Sequence, residues 1–333
     1  MTDTARTIGT ASLWVVTSYF NPAKYRQRYE NFQTFRKHLS VPLLVVELER
    51  NGAFELSSSD ADQVIQLTGE DRLWQKENLL NIAISRLPSE VEFVAWVDCD
   101  VVFSNPDWPR LTTERLAADS GLVQLFETVH HLTKETTQSA QSLEDLLKAG
   151  PFFSQSSFAA GATDRDAFLT ARVRERDPNR AKRSTPHPRA RIASGIAWAA
   201  RRAEIDACGL YEGAILGSGD VLLACAMRDW LDGLLDIEYH GGCLRADVNA
   251  WAHRLRASVG QSLNVIDNTV CHLWHGDFEN RHYRERQTIL VEHNYDPSHD
   301  IRRAENGTLE WVDPTSALAR DVAAYFPMRR EDG

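Results

Sequence analysis

The chain has 333 residues, 43% hydrophobic and 9% aromatic, enough to bury a sizeable core in one large or two modest domains. A formal charge of −10 argues against a polyanion-binding protein as a whole, and five cysteines, at 99, 208, 225, 243 and 271 with no C-x-x-C pair, give neither a disulfide framework nor a thiolate zinc site. No apolar run approaches the ~18 residues of a spanning helix, and the N-terminus lacks a basic start followed by an apolar core, so the expectation is a cytoplasmic protein without a membrane span.

In chain order, residues 12–19 (SLWVVTSY) read as a β-rich run, 22–39 as a helix opened by Pro22, 41–48 (VPLLVVEL) as a second buried strand and 64–67 as a third. Thr68 with Asp71 resembles a capping box, and the helix it would open carries Leu73, Leu80, Ala83, Ile84 and Leu87 on one face. Residues 93–97 (FVAWV) are continuously apolar, as in a strand covered on both sides. Strands alternating with helices predict an α/β domain with a mainly parallel central sheet.

That order puts Asp98 and Asp100 where the central strand emerges, the end at which open α/β sheets collect ligands. Two carboxylates one residue apart repel each other and lose solvation, a cost most readily offset by a divalent cation with oxygen ligands. Mn2+ or Mg2+ fits, with a substrate phosphate completing its shell. The competing reading is a chance D-x-D in which the aspartate only forms a turn.

Residues 191–230 read as a strand, a short helix ending at Gly209, a loop and a helix begun by Asp220. Gly217, Ser218 and Gly219 free the backbone to turn sharply and approach a ligand. Asp220 is either a helix N-cap or a base facing an acceptor. In residues 268–290, His272 and His275 fall on opposite faces of a straight strand, but a bend at Trp274 or His275, eased by Gly276, brings both rings to one side, where neutral imidazoles suit a Mn2+-class ion. Packed core histidines are the alternative. Arg281, Arg284 and Arg286 begin a helix opened by Asp277 and either meet phosphate or form a solvated face with Glu279 and Glu285.

The apolar strand ending in Asp98-Cys99-Asp100, the GSGD of 217–220 leading a helix and the CHLWHG of 271–276 together resemble the GT-A class of nucleotide-sugar glycosyltransferases, in an order similar to the beta-1,4-galactosyltransferase and polypeptide N-acetylgalactosaminyltransferase branches. The resemblance covers residues 12–290 in outline, and its specificity lies in the three short motifs. It implies a single GT-A-like, Rossmann-related domain with a C-terminal α/β extension. The nucleotide-binding half would be 1–110, the acceptor and catalytic half 111–295 with a flexible arginine-rich loop over 172–191, and the extension 296–333. It implies transfer of a sugar from a nucleoside diphosphate sugar, a UDP-sugar by expectation, to a hydroxyl acceptor with inversion. Asp100 with His272 or His275 or both would hold Mn2+ or Mg2+, Asp98 would bind the ribose or the metal's water shell, Arg281 would assist the diphosphate and Asp220 would be the base. Thr17, Ser18, Tyr19 and Glu47 at strand ends, and Arg72, Gln75 and Lys76 beside the next helix, occupy positions of nucleotide contacts in the class.

The acceptor is a saccharide or, through the basic 172–191 loop, a modified nucleobase in nucleic acid. Two rival readings remain at this level. A nucleotidyltransferase also needs paired carboxylates and a hard metal, although TSYFNP is not a glycine-rich phosphate loop. A non-catalytic nucleotide-sugar-binding protein would keep the fold without the base. The closing run AAYFPMRREDG fits none of these roles and reads only as docking an aromatic pair.

Overall fold

Continuously apolar runs become the middle of a sheet. The computed structural model describes residues 12–69, 72–176, 192–238, 242–282 and 285–333. Its first elements are β1 (Leu13–Phe20), α1 (Arg26–His38), β2 (Leu43–Glu49), β3 (Gln63–Thr68), α2 (Lys76–Ser85), β4 (Phe93–Val97) and β5 (Val101–Phe103). There follow α3 (Trp108–Ala118), β6 (Leu122–Gln124), β7 (Thr128–His131), α4 (Lys134–Ser139), α5 (Leu143–Lys148), β8 (Phe153–Ser157), α6 (Phe158–Gly161), α7 (Arg165–Arg176), β9 (Ile192–Ala193) and β10 (Ala197–Arg201). The chain continues with α8 (Arg202–Cys208), α9 (Gly219–Met227), α10 (Leu231–Glu238), α11 (Leu244–Val259), β11 (Leu263–Val265), β12 (Thr269–His272) and α12 (Glu285–Glu292). It closes with α13 (Pro297–Asp300), β13 (Ile301–Arg303), β14 (Leu309–Trp311) and α14 (Ala317–Met328).

Among the described residues a seven-stranded sheet runs β11-β6-β10-β4-β1-β2-β3. The strands β4, β1, β2 and β3 are parallel, as are β11 and β6, and β10 runs antiparallel to both its neighbours. This is the mixed α/β architecture with a mainly parallel central sheet expected from the sequence. Both β2 and β4 are buried at every position because both sheet faces are covered. Leu44, Val46, Val94 and Trp96 share one core with Leu80, Leu223 and Trp251, while Val45, Ala95 and Val97 share the other with Phe32 and Phe35 of α1.

A second sheet, β5-β12-β7-β8-β9, is entered by the chain directly from the central strand β4. The chain leaves β4 at Val97, turns through Asp98-Cys99-Asp100 and enters β5 at Val101. The D-x-D is therefore the corner between two sheets. The C-terminal extension docks through Gln75, whose side chain donates to Leu309 O (2.8 Å) and accepts from Leu309 N (2.7 Å).

Local expectations shift in several places. Pro22 does not open α1; it lies in a turn where Lys24 N donates to Asn21 O, and the helix starts at Arg26. Thr68 ends β3 instead of capping a helix, Asp71 lies outside the described residues, and α2 begins at Lys76 with Gln75 at the N-cap position, its side chain making no capping bond. Residue 110 falls inside α3. Of the 172–191 loop, 172–176 are the end of α7, where Arg172 Nε donates to Glu238 Oε1 (3.0 Å), and 177–191 lie outside the described residues. A 3₁₀ turn over Phe278–Arg281 stands where a helix was expected, α12 starts only at Glu285, and Arg284 lies outside the described residues.

Candidate active site

Pairing register builds the site. β12 lies antiparallel to β5 with His272 opposite Val101, and Leu273 N donates to Asp100 O (2.9 Å), so the strand carrying the first histidine is stitched to the D-x-D corner. β12 then ends, the chain bends, and His275 returns toward the same point, its ring centroid 5.1 Å from that of His272. Gly276 has φ +89°, where a side chain is strained, and a Cβ there would crowd the tail backbone, 3.0 Å from Glu331 Cα and 3.1 Å from Arg330 O. The straight-strand problem is thus removed by strand termination before the bend.

Asp100, His272 and His275 each offer a ligand atom, and these atoms lie within 4.8 Å of one another. His275 Nε2 is 3.3 Å from Asp100 Oδ2 and His272 Nε2 is 3.7 Å from Asp100 Oδ1. Burial, reinforced by Arg281, pushes His272 down to about 3 and His275 well below its ordinary value, so both rings are neutral. Among the described residues, Asp100 Oδ1 is buried without a hydrogen-bond partner. One carboxylate with an orphaned oxygen and two neutral imidazoles fit a divalent ion of the Mn2+ class.

Asp98 stands outside this triad. Its Oδ1 pairs with Lys76 Nζ at 2.7 Å, and the same ammonium reaches Asp220 Oδ2 at 2.8 Å. Burial raises Asp98 to about 6 against the pull of Lys76, whose own value burial works to lower but which the Asp220 and Asp98 carboxylates hold well above its ordinary value. Asp220 is not an N-cap: Ser218, left-handed at φ 79°, occupies that position, and Asp220 sits in the first turn of α9. Gln287 Nε2 donates to Ser218 Oγ (2.8 Å) and so ties α12 to the GSGD turn. Gly195 lets the carboxylate in, since a Cβ there would be 2.7 Å from Asp220 Oδ2. Ile196, a β-branched residue at φ 85°, accepts from Asp98 N through its carbonyl (2.8 Å). Rare backbone conformations at Ile196 and Ser218 therefore flank the acidic groups, which is where such strain is usually retained.

Buried Arg281 acts electrostatically on Asp100 and both histidines. Several sequence-predicted nucleotide contacts have other partners. Thr17 Oγ1 donates to Val97 O (2.6 Å), Tyr19 Oη donates to Glu55 Oε2 (3.1 Å), and Glu47 accepts from the backbone of Glu55 (2.6 Å) and Leu56 (3.2 Å). Gln75 is committed to Leu309, while Ser18 and Arg72 are half-buried. Three residues near the triad carry no motif that marks them in the sequence: His131, whose ring centroid lies 4.8 Å from that of His272, Glu331, whose Oε1 is 4.0 Å from His275 Nδ1, and Arg28, which pairs with Glu331. A cavity of about 570 Å³ lined by Tyr211, Glu212, Asp247, Trp251 and Arg303 contains none of the triad.

No protein-family model matches the chain, and no curated protein matches it. Among solved structures it is similar to glucosyl-3-phosphoglycerate synthase from Mycobacterium tuberculosis in complex with Mg2+ and UDP, at 11% identity over 90% of this chain and 86% of that one, with a TM-score of 0.39. It is also similar to S. aureus TarS in complex with UDP-GlcNAc, at 11% identity over 95% of this chain and 72% of that one, with a TM-score of 0.37.

Proposed function

We propose that this chain is a GT-A class, metal-dependent glycosyltransferase that moves a sugar from a nucleoside diphosphate sugar, with UDP as the carried nucleotide, to a hydroxyl acceptor with inversion. The observation that carries the reading is the convergence of Asp100, His272 and His275 beside the Asp98–Lys76–Asp220 bridge. Asp100, His272 and His275 would hold the divalent cation, which when bound would supply Lewis-acid stabilisation of the charge that collects on the departing diphosphate. Arg281 adds a fixed positive charge on the same side. Lys76 fixes Asp98 toward the donor's ribose or the cation's water shell, and through Asp220 Oδ2 it sets the orientation of that carboxylate. Asp220 takes the acceptor hydroxyl's proton while the hydroxyl oxygen bonds to the anomeric carbon and the bond to the diphosphate oxygen breaks. Attack from the face opposite the leaving group inverts the centre. Thr17, Tyr19, Glu47 and Gln75 support the scaffold in this reading, and a saccharide is the acceptor class preferred in it.

The test is incubation with a panel of nucleotide sugars and Mn2+. Slow release of UDP from at least one UDP-sugar supports the reading; absence of UDP release and of UDP-sugar binding removes it. Release of pyrophosphate from a nucleoside triphosphate would favour nucleotidyl transfer instead.

A further inference from the structure

The closing run FPMRREDG packs against the triad through Arg329, Arg330 and Glu331, whose backbone lies against Gly276. After α14 ends at Met328, the chain folds back, with Arg330 at φ 44°. Asp332 then caps α1 from outside: its carboxylate accepts from Gln27 N (2.8 Å) and Arg26 N (3.2 Å), the helix start that Tyr25 leaves without a side-chain cap. Glu331 is 1% exposed and enclosed by two guanidinium groups. Arg28 reaches both its oxygens (2.5 and 2.9 Å), and Arg329 Nε donates to Oε1 at 2.6 Å. That same Oε1 lies 4.0 Å from His275 Nδ1, a buried nitrogen without a hydrogen-bond partner among the described residues.

We infer that Glu331 is a positioning residue for His275. A ring whose Nε2 faces Asp100 and a cation must carry its proton on Nδ1, and a buried N–H needs an acceptor. Glu331 Oε1 supplies it after an approach of about 1 Å. The tail then fixes both the tautomer and the angle of the imidazole, and Arg28 and Arg329 hold the carboxylate still. The inference rests on the reading that the triad binds a divalent cation.

The experiment is titration of the full chain with Mn2+ alone, reading free Mn2+ by its EPR signal, with thermal midpoints measured in parallel. Glu331→Met keeps the side-chain length and removes the acceptor, and its Mn2+ affinity is expected to fall 10–100-fold. Asp332→Asn loosens the same tail at α1 without touching His275, and its affinity is expected to stay within about threefold of wild type, well short of the loss that follows removal of an outer-shell partner. Equal losses in both variants would reduce Glu331 to a folding role, and unchanged affinity in Glu331→Met would also overturn the inference while leaving the cation reading intact. No Mn2+ binding by the wild type takes down both. A measurement on the unmutated chain guards against a variant that does not fold. With Mg2+ bound, 15N-histidine spectra should show His275 Nδ1 protonated and protected from water, and an unprotonated or freely exchanging Nδ1 overturns the inference.

Discussion

Asp100 Oδ2 and His275 Nε2 face each other at 3.3 Å, the spacing of an ion pair, yet burial and Arg281 keep the imidazole uncharged. The other carboxylate oxygen, Asp100 Oδ1, is buried without a hydrogen-bond partner among the described residues. The pair makes chemical sense as two corners of a cation's shell. Asp100→Asn, which keeps volume and removes charge, is expected to lower Mn2+ affinity about 100-fold or more, measured by direct titration.

Lys76 lies outside the triad but bridges Asp98 and Asp220. Lys76→Met should therefore bind Mn2+ nearly as wild type does and lose turnover of a UDP-sugar by about 100-fold, because Asp220 is no longer aimed. Equal loss of metal binding and turnover would contradict separate duties for the two groups.

Gly195 offers a selective way to move Asp220. An added Cβ would sit 2.7 Å from Oδ2 and 3.0 Å from Cγ, so Gly195→Ala pushes the carboxylate aside by a few tenths of an ångström while leaving the core alone. The expected result is a fall in kcat of about 10–100-fold with little change in melting temperature, checked by steady-state kinetics alongside calorimetry.

Glu77 is buried at the start of α2 against Gly219, and burial raises its carboxyl from 4.5 to about 8. The unfolded chain releases this proton near 4.5 and the folded chain keeps it to about 8, so wild-type stability should decline as pH rises through that window. Glu77→Gln removes the titration. Its stability advantage over wild type should be small at pH 5 and grow to about 1 kcal/mol or more at pH 8.5, measured by urea denaturation at both values. An advantage that does not change with pH would contradict it.

The buried strands were legible because FVAWV and LLVV have no polar face to misplace. The acidic corner was legible because Asp98 and Asp100 follow directly on the apolar run FVAWV. Helix starts were not: Thr68 and Asp71 have the spacing of a cap, but β3 continues through Thr68 and pairs with β2. Strand-end polar residues were equally ambiguous, because alternation gives the face of Glu47 or Thr17 but not whether a loop N–H, a neighbouring carbonyl or a ligand lies there. Arg28, Arg329 and Glu331 were invisible as a set, since their partnership is made by the packing of α14 and the tail against α1. The glycine of RIASGIAW was a signal within reach, a small residue just before a strand where a carboxylate needed room.

Pulsed EPR of the Mn2+-loaded chain tests the central claim most directly. The account predicts nitrogen modulation from two imidazoles, reduced to one in either His272→Ala or His275→Ala and absent when both are replaced. Tightly bound Mn2+ whose spectrum carries no imidazole nitrogen in the wild type would contradict it.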